Sequence, residues 1–121
     1  SSGAVATIEI EVKSDAHFEA LNLGVLLRDR FGQDIFGTNT GLLEQPLSFE
    51  KDELAHVHFS VPLNLGVGQY SITLALHSGI NHLRQCQHWW DNALEAEVAG
   101  YSVPVFSGVA YLPVNISKIS K

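Results

Sequence analysis

The feature that most constrains this chain is a period of two. In TIEIEVK, Ile8, Ile10 and Val12 alternate with Thr7, Glu9, Glu11 and Lys13. That is the pattern of a strand with one buried and one wet face. The alternation recurs over 20–29 (Leu21, Leu23, Val25, Leu27), 53–63 (Ala55, Val57, Phe59, Val61, Leu63), 69–77 (Tyr70, Ile72, Leu74, Leu76) and 93–99 (Leu94, Ala96, Val98). Gly32 predicts a tight turn, with 34–40 returning as a hairpin partner. Residues 108–119 are expected as a last, less clearly two-sided strand, and 50–54 offers the best helical turn. Roughly seven short strands separated by turn signals predict an all-β chain, an immunoglobulin-like antiparallel β-sandwich. The Gly-x-Tyr of LGVGQY (65–70) fits either a tyrosine corner, whose phenol anchors the preceding turn, or a plain core aromatic.

The 121 residues suffice for one domain with one core. Residues 1–4 are expected as a linker or expression remnant and 5–121 as the single domain; the lack of any Met suggests a piece of a longer protein. Cys86 stands alone, so no intrachain disulfide can form, which suits a reducing compartment. Seven Lys+Arg against 13 Asp+Glu give a net charge of −6. This balance argues against nucleic acid as a partner and against charge-driven docking on an anionic membrane. No apolar run approaches the roughly 18–20 residues of a membrane span.

Few residues suggest chemistry. His56 and His58 project from one strand face, as zinc ligands can, with a third ligand available from His77, His82 or His88. The competing reading, two surface histidines, is preferred, so no metal or cofactor is expected and a small metal-dependent enzyme is the least favoured function. There is no Gly-x-Ser-x-Gly elbow and no phosphate-binding Gly-rich loop, and no catalytic residue is assigned. The informative cluster is QHWWDN (87–92), which holds both tryptophans. Adjacent residues of an extended chain point to opposite faces, so one indole can plug the core while the other offers a platform for a sugar ring. Both indoles packing inside is the competing reading. The glycan-binding candidates are therefore Trp89 and Trp90 for stacking, and His77, Arg84, Gln87 and Asp91 for hydrogen bonding. Ser71 and Thr73 are expected to line the small, uncharged face of 69–77.

Four segments taken in order, IFGTNT (35–40), LGVGQYSITLAL (65–76), WDNAL (90–94) and FSGVAYLP (106–113), make the chain similar to one family over about residues 5–114. It resembles the C-terminal carbohydrate-binding domain of the ATP-binding subunit of O-antigen polysaccharide ABC exporters, the Wzt type. The resemblance implies a non-catalytic domain that binds a completed, lipid-linked polysaccharide before export. It also implies that ATP is hydrolysed by a separate domain and that the protein is cytoplasmic, peripheral at the bacterial inner membrane. The implied partners are the glycan, the membrane component of the exporter, and a second copy bound by exchange of C-terminal strands, for which 108–119 is the matching segment. A dimerisation or assembly module is the alternative function. Asn39 and Thr40 match the family's motif, but Asn tolerates left-handed geometry and caps its own loop, so a structural role is expected there.

Overall fold

The computed structural model describes residues 1–78 and 85–120, with the side chains of 85–89 excepted. Seven strands are described: β1 (Val5–Lys13), β2 (Phe18–Asp29), β3 (Asp34–Asn39), β4 (Leu47–Phe49), β5 (Leu54–Pro62), β6 (Gly68–Ser78) and β7 (Gln85–Val98). All pairings between them are antiparallel. β1 and β5 form a two-stranded sheet; β3, β2, β6 and β7 lie in that order in a five-stranded sheet, with β4 also paired to β2.

The period of two decides which side chains meet. Ile8, Ile10 and Val12 of β1 and Phe59 of β5 share one core cluster with Leu21, Leu23, Val25 and Leu27 of β2 and with Ile72 and Leu74 of β6. Leu23 is only 1% exposed. Burying each such side chain contributes about 1.5–3 kcal/mol, so this inter-sheet layer is the main source of stability. The all-β, sandwich-like arrangement expected from the alternation is what the chain adopts.

Several expectations need correction. β7 starts well before residue 93, because the WWDN segment is itself strand. β4 spans three residues, too few to show a period. Residues 50–54 form no helix; a reverse turn closes there from the Glu53 N–H to the Glu50 carbonyl (3.1 Å), with Asp52 at a φ of 67°. Residues 108–119 form no strand either. Ala110 makes an isolated bridge to Leu65, and among the described residues no strand pairs with the rest. Residues 1–4, read from the sequence as a linker or remnant, are tied to the domain whatever their origin. Ser2 is fully buried, its N–H donates to Gly100 O (2.9 Å), its carbonyl accepts from Ser102 N–H (2.7 Å), and Gly3 N–H donates to Leu63 O (2.6 Å).

The Gly-x-Tyr segment forms a tyrosine corner. The Tyr70 hydroxyl donates to the Gly66 carbonyl at 2.6 Å in a buried setting. The Gly66 N–H in turn donates to Val109 O at 2.7 Å, and a Cβ at Gly66 would lie 2.4 Å from Gly108 O. Only glycine permits that approach. The phenol thus anchors the β5–β6 connection, whose Gly66 amide is in turn bonded to the C-terminal segment. Asn39 and Thr40 are structural, as expected: Asn39 Oδ1 accepts from Leu42 N–H (2.8 Å), and the buried Thr40 Oγ1 accepts from Leu23 N–H (3.1 Å).

Burial, and secondarily the negative charge of Asp29, raises the Tyr70 pKa above its ordinary value. The raised folded-state pKa means that Tyr70 contributes fully below the ordinary phenol pKa of about 10 and loses that contribution as pH rises beyond it. Tyr70→Phe leaves the Gly66 carbonyl without its buried partner. It should lower unfolding free energy by about 1–3 kcal/mol at neutral pH and weaken the alkaline loss of stability. Urea unfolding of both proteins at pH 7 and pH 11 measures this; equal stabilities at pH 7 would contradict it.

Candidate functional site

β7 leaves regular pairing with β6 at two points, between Leu76 and His77 and, more widely, between Ile72 and Leu74. Ile72 pairs with Leu94 and Leu74 with Trp90, so three residues, 91–93, oppose Thr73 alone. Such a bulge costs ladder hydrogen bonds unless a side chain replaces them. Thr73 does so. It is 1% exposed; its Oγ1 donates to Asp91 Oδ1 (2.9 Å) and accepts from Asn92 N–H (3.1 Å). Asn92 takes a φ of 49°, which suits asparagine better than most residues. Asp91 Oδ1 also accepts from Arg28 Nη1 (2.8 Å), while Arg28 Nε donates to Asp34 Oδ1 (2.9 Å). The Arg28 pKa is raised, chiefly by the hydrogen bond with Asp34, with partial desolvation opposing and Asp91 adding to the rise. β2, β3, β6 and β7 are thereby cross-linked on the face of the sheet that points away from the core.

Above this network lies an open recess of about 470 Å³, lined among others by Arg28, Arg30, Gln69, Ser71, Asn92 and Glu95. It offers guanidinium and amide donors beside hydroxyl and carboxylate acceptors. That set suits a ligand rich in hydroxyl groups.

A second opening, of about 750 Å³, separates β1 from β7. Its walls include Ile10, Val12, Phe18, Leu74, Trp90 and Leu94, and its rim includes Glu9, Glu11 and Asp15. Trp90 pairs with the core residue Leu74 and therefore lies on the inner face of β7. It is nevertheless 55% exposed, because the two-stranded sheet does not extend over that edge.

The structure divides the sequence-predicted site residues. Ser71 lines the polar recess, and Asp91 stands beside it, bonded to Arg28 and Thr73. Thr73 lies beneath the bulge and presents no accessible hydroxyl, contrary to its expected place on an open face. His77 is half-buried near the far end of β6, paired with Asn22, and does not line the recess. Trp90 is on the opposite side of the sheet from Ser71: it is exposed and lines the apolar opening between β1 and β7, so the indole and the small polar face expected together border two different recesses. Trp89 pairs with Ala75 through the backbone, and its side chain and that of Gln87 lie outside the described residues, as does Arg84 entirely.

Arg28, Arg30, Gln69, Asn92 and Glu95 were missed by sequence reasoning. The available signal was Arg28 at the polar position that follows Leu27. His56 and His58 are exposed on β5, opposite Glu11 and Glu9. Among the described residues no three His, Cys, Asp or Glu side chains converge on a metal position.

Thr73→Val keeps the shape but removes both hydrogen bonds. It should cost about 1–3 kcal/mol, while Thr73→Ser should retain most of the stability. Urea midpoints at constant slope check this, and a valine variant as stable as the parent would contradict the role given to the hydroxyl.

The model of the Wzt C-terminal domain family matches residues 1–112. The fold is similar to the crystal structure of the C-terminal domain of wzt, with a TM-score of 0.88 and 18% sequence identity, over 98% of this chain and 72% of that one. No curated protein matches the chain in sequence. Since the family match covers nearly all of its length, this chain belongs to the Wzt C-terminal domain family.

Proposed function

We propose that this domain binds the polysaccharide cargo of an O-antigen ABC exporter, without altering it, in the recess above Arg28. Family membership supports the exporter role. The observation that carries the binding site is the recess itself: mixed donors and acceptors on a sheet face that the Thr73–Asp91–Arg28 network holds rigid. Groups held in place before the ligand arrives lose little entropy on binding. Ser71 and Asp91 are the residues assigned to it here, and Trp89, Gln87 and Arg84 stay as sequence-based candidates. ATP hydrolysis is assigned to a separate domain, and the setting to the cytoplasmic side of the inner membrane, next to the exporter's membrane component. No helix among the described residues is long and apolar enough to cross a membrane.

A second reading, compatible with the first, is favoured by the groove between β1 and β7. Leu112, Val114, Ile116 and Ile119 are each at least 73% exposed. Residues 99–121 contain Lys118 and Lys121 and no acidic residue, and the groove rim carries Glu9, Glu11 and Asp15. An apolar, basic segment and an apolar, acid-rimmed gap complement each other. We assign the gap to the C-terminal segment of a second copy, which makes Trp90 part of a dimer contact rather than a sugar platform.

Calorimetric titration with the O-polysaccharide of the strain that encodes this chain should give saturable binding. Ser71→Leu, which fills the recess, should weaken it about tenfold or more. No binding by the parent chain would overturn the reading. Sedimentation of the parent chain should show a dimer, and Ile116→Asp should shift it to monomer; a strict monomer at high concentration removes the second reading.

A further inference from the structure

The β2–β3 turn, at one edge of the recess, is closed by four hydrogen bonds. Asp29 Oδ1 accepts from the N–H groups of Phe31 and Gln33, both at 2.9 Å. The backbone closes it twice more, from Gly32 N–H to Asp29 O (3.1 Å) and from Asp29 N–H to Gln33 O (3.0 Å). Gly32 supplies the left-handed residue the turn needs, at a φ of 81°. The two residues displayed by this rigid turn are Arg30 and Phe31.

Phe31 is 78% exposed, and the Arg30 guanidinium lies over its ring, 4.7 Å from the centroid. A guanidinium stacked in this way keeps its N–H edges free to donate in its own plane. Arg30 lines the recess and forms no ion pair with any carboxylate among the described residues. Arg28, by contrast, is committed to both Asp34 and Asp91. The recess thus contains one guanidinium that holds the scaffold and one that is positioned on an aromatic ring without an ion pair among the described residues.

The local charge narrows the ligand. Asp29, Asp34, Asp91 and Glu95 surround Arg28 and Arg30, an excess of two negative charges. A carboxylate- or phosphate-bearing sugar would meet that excess, whereas an uncharged sugar can give hydroxyl protons to the acids and accept from Arg30. We infer that Arg30, braced on Phe31, is a sugar-contacting residue, and that the recess takes an uncharged sugar unit in preference to an acidic one. This rests on the glycan-binding reading above and names its ligand class.

The test is calorimetric titration of the same O-polysaccharide into the parent chain, Arg30→Ala, Arg30→Lys and Phe31→Ala, with circular dichroism to confirm the fold of each. Arg30→Ala should weaken binding by about tenfold or more, and Arg30→Lys should not restore it, because an ammonium lacks the planar fork. Phe31→Ala should weaken binding several-fold while leaving the spectrum unchanged. Parent-chain affinity should change by less than about twofold between about 20 and 300 mM salt, since a neutral ligand is not screened. Parent-like affinity of a folded Arg30→Ala overturns the role of Arg30 and leaves glycan binding standing. A steep fall of parent affinity with salt overturns the uncharged class. Absence of binding by the parent chain overturns both this inference and the reading beneath it.

Discussion

One buried hydroxyl joins the scaffold of this domain to its surface chemistry. Thr73 sits on the outer face of a central strand with almost no exposure, donating to Asp91 and accepting from the Asn92 amide. Without that pair of bonds the three-residue excursion in β7 would leave the Asn92 amide and the buried Thr73 hydroxyl without these partners. With them, Asp91 is fixed where it can receive Arg28, and Arg28 in turn reaches Asp34 on the far side of β2. The recess is therefore a product of the fold's own hydrogen bonds, with its polar groups already oriented toward solvent.

A second constraint is the imbalance between the two sheets. Two strands cannot cover the inner face of a five-stranded sheet, and the shortfall falls over β7. Trp90 and Leu94 are inner-face residues that stay 55% and 45% exposed as a result. Exposed apolar surface of this kind is costly in an isolated chain and is commonly covered by a partner. The two surfaces lie on opposite sides of the same sheet, so the sugar binding and the self-association we propose would not compete for space.

The fold was legible because alternation is a local property. Ile8, Ile10 and Val12, or Leu21, Leu23 and Val25, announce their buried face without reference to any neighbour, whereas LGVGQY leaves a corner and a plain core aromatic both open until the Tyr70–Gly66 bond decides between them. The site was less legible because it depends on register. Nothing in the WWDN segment states that Trp90 will pair with Leu74, and a one-residue slip would have turned the indole to the other face. Thr73 reads as a small polar residue on a wet face until the bulge that covers it is known. Arg30 and Phe31 read as turn residues, and their stacking becomes visible only once the turn's geometry is fixed. The segment 108–119 shows the converse limit: its apolar pattern resembles a strand, but a strand needs a neighbour along its length, and among the described residues only 109–111 find one, at 64–66.

The central claim is that ligand recognition belongs to the outer face of the five-stranded sheet, between the β2–β3 turn and the β7 bulge. Mapping backbone amide shifts during titration with the O-polysaccharide tests it most directly. The account predicts perturbations concentrated at residues 28–34, 69–71 and 91–95, with β1 and β5 unaffected. Perturbations confined to the His56–His58 face, or to the groove between β1 and β7, would contradict it.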